Sequence, residues 1–218
     1  MRRAVVTGAR GGIGSATAEA FAARGYDVVG LEAGDDWQAI LGSLDRIDVL
    51  ACAHGGSGRS LGDGPVDTCT DEGWAETLEL NLTSVFRYCR AAIPLLRANG
   101  GGAIVTLSSA LALGGDRDFA THAYAAAKGA VVSLTRAMAI AYAADGIRCN
   151  VICAGLVDTP MSARALGDPS VAARMADLQP ITRGPGRAED VATAAVYLAE
   201  APFVTGAVLT VDGGWTAR

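Results

Sequence analysis

The sequence predicts an α/β chain with a doubly wound parallel sheet in a single domain. Three observations predict it. Short apolar runs alternate with alanine-rich helical stretches along the 218 residues. The runs are rich in Val, Ile and Leu and do not alternate with polar residues, as strands buried on both faces require. The first run opens into a glycine-rich turn and then a helix. The length suits one sizeable core.

The elements follow in order. Strands are expected at residues 4–6 (AVV), 27–31 (DVVGL), 48–53 (DVLACA), 103–108 (AIVTLS), 148–154 (RCNVICA) and 207–211 (AVLTV). Helices are expected near 13–24, 37–46, 72–98, 122–144, 170–178 and 188–200. No repeat or linker divides the chain into more than the one domain, 1–218. The glycine-rich stretches at 54–65 and 183–187 read as loops at functional edges.

Composition excludes several functions. Half of the chain is hydrophobic and 19% is charged, so it packs into a core. A net charge of −5 without a Lys/Arg cluster gives no footprint for nucleic acid. No apolar run is long enough to span a membrane or form a signal peptide, which points to the cytoplasm. The five cysteines lack zinc-ligand spacing and read as small buried hydrophobes in a reduced compartment, with no metal site.

Two constellations carry chemistry. In AVVTGARGGIG, Gly8, Gly12 and Gly14 allow a tight turn, and the helix start around Ile13 offers free N–H groups to a pyrophosphate. Glu32 ends the second strand about 20 residues on, where a carboxylate accepts from ribose hydroxyls and repels a 2′-phosphate. That favours NAD. Arg10, inside the turn, keeps NADP as the alternative. The second constellation is Ser109 at a strand end, Tyr124 on the next helix and Lys128 one turn further. Tyr–Lys at this spacing is a common surface pair. A cation one turn away also favours a phenolate, which free tyrosine, with a pKa of about 10, does not form at neutral pH.

The segments TGARGGIG, SS followed by YAAAK, and VDGG resemble the short-chain dehydrogenase/reductase family in its compact single-domain branch. The likeness runs over residues 7–214 with the motifs in the family's order. NLTSVF (81–86) is similar to the segment that supplies that family's active-site asparagine, here Asn81.

The resemblance implies a Rossmann-like fold and an NAD(P)-dependent oxidoreductase that interconverts a secondary alcohol and a ketone. Tyr124 would donate or accept the proton, and Ser109 would hydrogen-bond the substrate oxygen. Lys128 would hold the nicotinamide ribose, and Asn81 would position a water. The charge of an oxidised nicotinamide would add to that of Lys128 in favouring the phenolate. Ala53 and Gly55 would border the adenosine, while the Val157 backbone and Thr159 would meet the carboxamide and pyrophosphate. Residues 160–187 would form a substrate lid. Relatives imply a homotetramer or dimer built on helices 76–96 and 125–144 and on the C-terminal VDGGW.

The chain departs from the family pattern at several positions. Cys52-Ala53-His54-Gly55 stands where relatives read Asn-Asn-Ala-Gly, and His54 reads as structural. Ala154-Gly155 replaces a Pro-Gly. Only residues 33–47 separate the second and third runs, too few for the helix–strand–helix of relatives, so the third edge strand is expected to be missing or vestigial. Asp35 or Asp36 is the candidate to border the adenine. Arg59, Arg117 and Phe119 are candidate substrate contacts. Nothing resembles a dedicated phosphate or carboxylate clamp, which favours a neutral or weakly polar substrate. Two other readings stay open. One is a catalytically silent dinucleotide-binding regulator; the other is a sugar-nucleotide epimerase or dehydratase, which the glycine spacing and the lack of a substrate domain disfavour.

Overall fold

The computed structural model describes residues 1–217. Strand β1 (Arg3–Thr7) leads into helix α1 (Gly12–Ala23), followed by β2 (Asp27–Leu31), α2 (Trp37–Gly42) and β3 (Val49–Cys52). Next come α3 (Asp71–Leu78), α4 (Ser84–Ala98), β4 (Gly102–Ser109), α5 (His122–Ala141) and β5 (Ile147–Ala154). The chain closes with α6 (Ala163–Leu166), α7 (Pro169–Leu178), α8 (Ala188–Glu200) and β6 (Val208–Val211). Every strand pairing is parallel, in the order β2-β1-β3-β4-β5-β6. The order reverses at β1. Loops leaving β1 and β3 therefore diverge at the carboxyl edge and open a crevice there.

The continuous apolar runs are explained by two cores. Val5, Leu50, Cys52, Ile104 and Val151 face one cluster with α4 and α5. Their neighbours Val6, Ala51, Val105 and Ile152 face a second, with Phe21 of α1 and Leu198 of α8. Successive side chains point to opposite faces, and both faces are covered.

The short crossover behaves as its length requires. Residues 32–48 hold only the one short helix α2, and β2 is the edge strand of the six-stranded sheet. Helix α2 is shorter than the expected 37–46 because the chain turns after Gly42, where the Ser43 hydroxyl donates to the Ile40 carbonyl at 2.7 Å. The expected continuous helix 72–98 is interrupted by a π turn, Glu79–Thr83, centred on Asn81. The expected helix 122–144 ends at Ala141 and continues as the 3-10 turn Ala143–Asp145. Among the described residues no helix is long and apolar enough to cross a membrane.

Candidate active site

A cleft of about 390 Å³ opens at the reversal point, from the glycine turn at one end to Trp215 at the other. At the first end, Gly8 has φ +67 and donates its N–H to the Leu31 carbonyl at 2.7 Å. Gly11 donates to the Gly8 carbonyl at 2.9 Å. A Cβ on Gly14 would fall onto that same carbonyl, so only glycine closes the turn. The N-cap residue Gly11 supplies no side-chain acceptor, and Gly11, Gly12, Ile13 and Gly14 line the cleft. Backbone donors and the positive end of the helix dipole therefore face it.

Gly8, Arg10 and Glu32 lie just beyond the cleft wall. Glu32 accepts the Arg10 backbone N–H at 2.6 Å, while the Arg10 residue is exposed. The carboxylates of Asp35 and Asp36 are committed to the local backbone: Asp35 accepts from Glu32 N at 2.7 Å, and Asp36 caps α2 through Ala39 N at 3.1 Å.

His54 has a structural place. Ser84 Oγ donates to the Leu80 carbonyl at 2.7 Å, so it accepts from His54 Nε2 at 2.6 Å. Nδ1 is then an acceptor, for Thr7 Oγ1 at 2.6 Å. The imidazole ties the end of β1 to α4 and packs edge-on against Tyr88. Burial, aided by the nearby Lys128 charge, pushes its pKa down to about 3, so it stays neutral.

Asn81 is fully buried and belongs to the π turn. Its Nδ2 donates to the Thr77 and Gly56 carbonyls, each at 3.0 Å, and its Oδ1 accepts from Gly56 N at 3.1 Å. The carboxamide ties α3 to the loop after β3. A Cβ on Gly55 would lie 2.8 Å from Asn81 Oδ1 and 3.0 Å from Lys128 Nζ, so these two groups approach each other at Gly55.

Ser109, Tyr124 and Lys128 come together on the cleft wall. Ser109 ends β4, accepts the Leu111 N–H at 3.2 Å and lies near enough to the Tyr124 hydroxyl to favour its ionised form. Lys128 is 2% exposed; its Nζ donates to the Leu107 carbonyl at 3.0 Å and stands 5.6 Å from the Tyr124 ring centroid. Burial pushes Lys128 down to about 8, against the pull of Cys52 and Cys153. It pushes Tyr124 up to about 12, with the nearby Ser109 hydroxyl pulling the other way. Desolvation therefore dominates at Tyr124, which holds its proton.

The lining of the substrate half of the cleft is held by residues that motif spacing does not reveal. Asp63 caps α5, accepting the Ala123 and Tyr124 backbone N–H groups at 3.0 Å each, which fixes the tyrosine. Gln179 is 1% exposed and clamps Leu156, accepting its N–H at 2.5 Å and donating to its carbonyl at 3.1 Å. It holds the loop that carries Val157 and Thr159, where the Pro-Gly turn is absent. A Cβ on Gly12 would meet Thr159 Cγ2 at 2.5 Å, so this loop sits directly on the glycine turn. Asp212 binds Gly214 N and Thr216 N and presents Trp215, which packs edge-on against Phe119.

Arg174 on α7 pairs with Asp116 at 2.8 Å and also with Asp118, latching the 160–187 segment to the loop before α5. Of the three expected substrate contacts, Arg59 and Phe119 line the cleft. Arg117 does not; its side chain is 83% exposed. Ala53, Gly55, Val157 and Thr159 all line it. Four cysteines are buried and Cys69 is partly so, all of them free thiols. Among the described residues no His/Cys/Asp/Glu group could hold a metal.

A dinucleotide fits this arrangement on the structure's own terms: a side-chain-free turn, an uncapped helix start and a cleft leading from it to three polar side chains. Known proteins agree. A family model described as enoyl-(acyl carrier protein) reductase matches residues 37–216. The chain is 38% identical to cis-4-hydroxycyclohexanecarboxylate dehydrogenase of Sinomonas cyclohexanicum, over 99% of this chain and 97% of that protein. It is 42% identical to the inactive 2-(S)-hydroxypropyl-CoM dehydrogenase 2 of Xanthobacter autotrophicus, over 77% and 80%. A crystal structure of a short-chain dehydrogenase/reductase family oxidoreductase from Burkholderia thailandensis superposes with TM-score 0.89 at 30% identity, covering 100% of this chain and 93% of that one. The chain belongs to the short-chain dehydrogenase/reductase family.

Proposed function

We propose that the protein is an NAD-dependent oxidoreductase that interconverts a secondary alcohol and a ketone. The observation that carries this reading is the convergence of Ser109, Tyr124 and the buried Lys128 on one cleft that leads to the glycine turn. Bound along residues 11–14, a nicotinamide dinucleotide supplies the hydride acceptor or donor.

The chain's own residues do the rest. Amides of the turn and Thr159 hold the pyrophosphate, and Ala53 and Gly55 border the adenosine. The Val157 backbone meets the carboxamide. Glu32 takes the ribose hydroxyls, and its charge disfavours a 2′-phosphate, so NADP is the poorer cofactor. Ser109 hydrogen-bonds the substrate oxygen. Tyr124 gives its proton to that oxygen in carbonyl reduction and recovers it in alcohol oxidation. Lys128 is the cation that favours the phenolate and holds the nicotinamide ribose. Asn81 keeps the loop beneath them in place and retains acceptor capacity on Oδ1 for a water. Residues 160–187 close over the substrate.

The named substrates of the relatives, a hydroxycyclohexanecarboxylate and a hydroxypropyl-CoM, both carry a hydroxyl group, in keeping with an alcohol substrate. We place the enzyme in the cytoplasm as a homotetramer or dimer. The relative named inactive favours a second reading, a dinucleotide-binding regulator without turnover. The intact Ser109, Tyr124 and Lys128 argue against it. Screening secondary alcohols and ketones with NAD and NADP, followed by nicotinamide absorbance, decides. Turnover is expected with NAD, and Glu32→Ala should narrow the NAD preference about tenfold, ~1.4 kcal/mol. Cofactor binding without turnover of any member would support the regulator.

A further inference from the structure

Two arginines line the substrate end of the cleft, where the family motifs place nothing. Arg59 lies on the 3-10 turn Gly58–Leu61, and Arg164 on α6; both line the cleft. Arg59 cannot drift far from the reacting groups. Its turn is closed by Asp63 N donating to the Gly58 carbonyl at 2.9 Å, and Asp63 in turn caps α5 beside Tyr124. Arg164 neighbours Ala165, which packs in one cluster with Ala110, Leu156 and Trp215 around the same end of the cleft.

Neither guanidinium has a close carboxylate partner of its own. The Arg59 guanidinium makes no hydrogen bond or ion pair among the described residues; burial and the Arg164 charge disfavour its charged form, with the Asp63 carboxylate pulling the other way, and the Arg164 side chain is 53% exposed. Asp63 is committed to the α5 amides. Arg164 has only a 3.9 Å approach to Asp168, whose carboxylate also holds Ser170 N and Oγ at 2.9 and 2.7 Å. Two like charges on an apolar cleft are stabilised by an anion that meets both, and guanidinium suits planar or tripodal oxyanions.

We propose that Arg59 and Arg164 form an anion subsite, and that the substrate is a secondary alcohol carrying a carboxylate or sulfonate group. This deepens the oxidoreductase reading and rests on it. The sequence expectation of a neutral or weakly polar substrate missed the pair because its members lie far apart in the chain.

The test compares 3-hydroxybutyrate and 5-hydroxyhexanoate with their methyl esters, and 2-hydroxypropanesulfonate with 2-propanol, using NAD. The anion should exceed its neutral partner in kcat/KM by about tenfold or more. Arg59→Ala should lower that ratio about tenfold, with Arg59→Lys recovering part of it. The better of the carboxylate and sulfonate arms identifies the headgroup. Equal turnover of acid and ester in the wild type would overturn the proposal, as would a loss in Arg59→Ala shared by both. A loss confined to cofactor affinity would instead assign the arginines to the cofactor's phosphates and also overturn it. Calorimetric binding of the same compounds to Tyr124→Phe loaded with NAD separates the two readings. Anion binding that weakens in the double variant Tyr124→Phe/Arg59→Ala supports the subsite even if no alcohol is turned over. Absence of any preference for the anion in binding overturns it.

Discussion

The two ends of the cleft are built from different materials. At the glycine turn the wall is mostly backbone: Gly11, Gly12 and Gly14 have no side chains, and just beyond it Glu32 engages the Arg10 amide. At the substrate end the walls are side chains gathered from distant segments, with Arg59, Phe119, Arg164 and Trp215 meeting there. A backbone site tolerates almost no substitution and recognises what is common to all dinucleotides. A side-chain site can be rewritten one residue at a time, which is where one fold acquires different substrates.

The comparison can be broken at either end. The largest effect is expected from Gly14→Val, whose Cβ would overlap the Gly8 carbonyl. NAD affinity measured by calorimetry should fall about 100-fold or more, ~3 kcal/mol, and thermal stability should fall with it. Arg174→Ala acts only at the other end by removing the guanidinium from Asp116 and Asp118. Substrate KM should rise about tenfold, ~1.4 kcal/mol, with NAD affinity unchanged. Amide exchange in α7 should quicken. Equal losses of substrate and cofactor affinity in Arg174→Ala would show that the two ends are not separable.

How much of this was legible follows the same division. The strands, their burial on both faces and the absent edge strand follow from local apolar runs and from the length of residues 33–47. The glycine turn, Ser109, Tyr124 and Lys128 were legible because close backbone approach and one-turn helical spacing are encoded locally. The π turn at Asn81 was not, since an inserted residue leaves the apolar periodicity nearly intact. Gln179, Asp63 and the Arg174 latch were illegible for another reason. Each acts on a partner distant in the chain, as Gln179 does on Leu156 and Asp63 on Tyr124. Spacing reveals the cation beside Tyr124 but not the burial that raises the tyrosine's pKa.

A smaller effect sharpens that last point. Lys128 loses its proton near 8 when folded, against about 10.4 when unfolded. Between those values the unfolded chain binds more protons, so stability rises with pH, by at most ~1.4 kcal/mol per pH unit. Above about pH 10 the raised pKa of Tyr124 reverses the sign, because the folded state then binds the extra proton. Urea unfolding of the wild type and Lys128→Met at pH 7.5 and 9.5 should show a gain present only in the wild type.

The central claim is that Tyr124 moves the proton while other residues hold the cofactor. Its most direct test is Tyr124→Phe, which keeps the ring and deletes the hydroxyl. Turnover of the best alcohol with NAD should fall by about 10²- to 10⁴-fold, while calorimetric NAD affinity stays at the wild-type value. Turnover within a few-fold of wild type, with NAD still bound, would contradict the account.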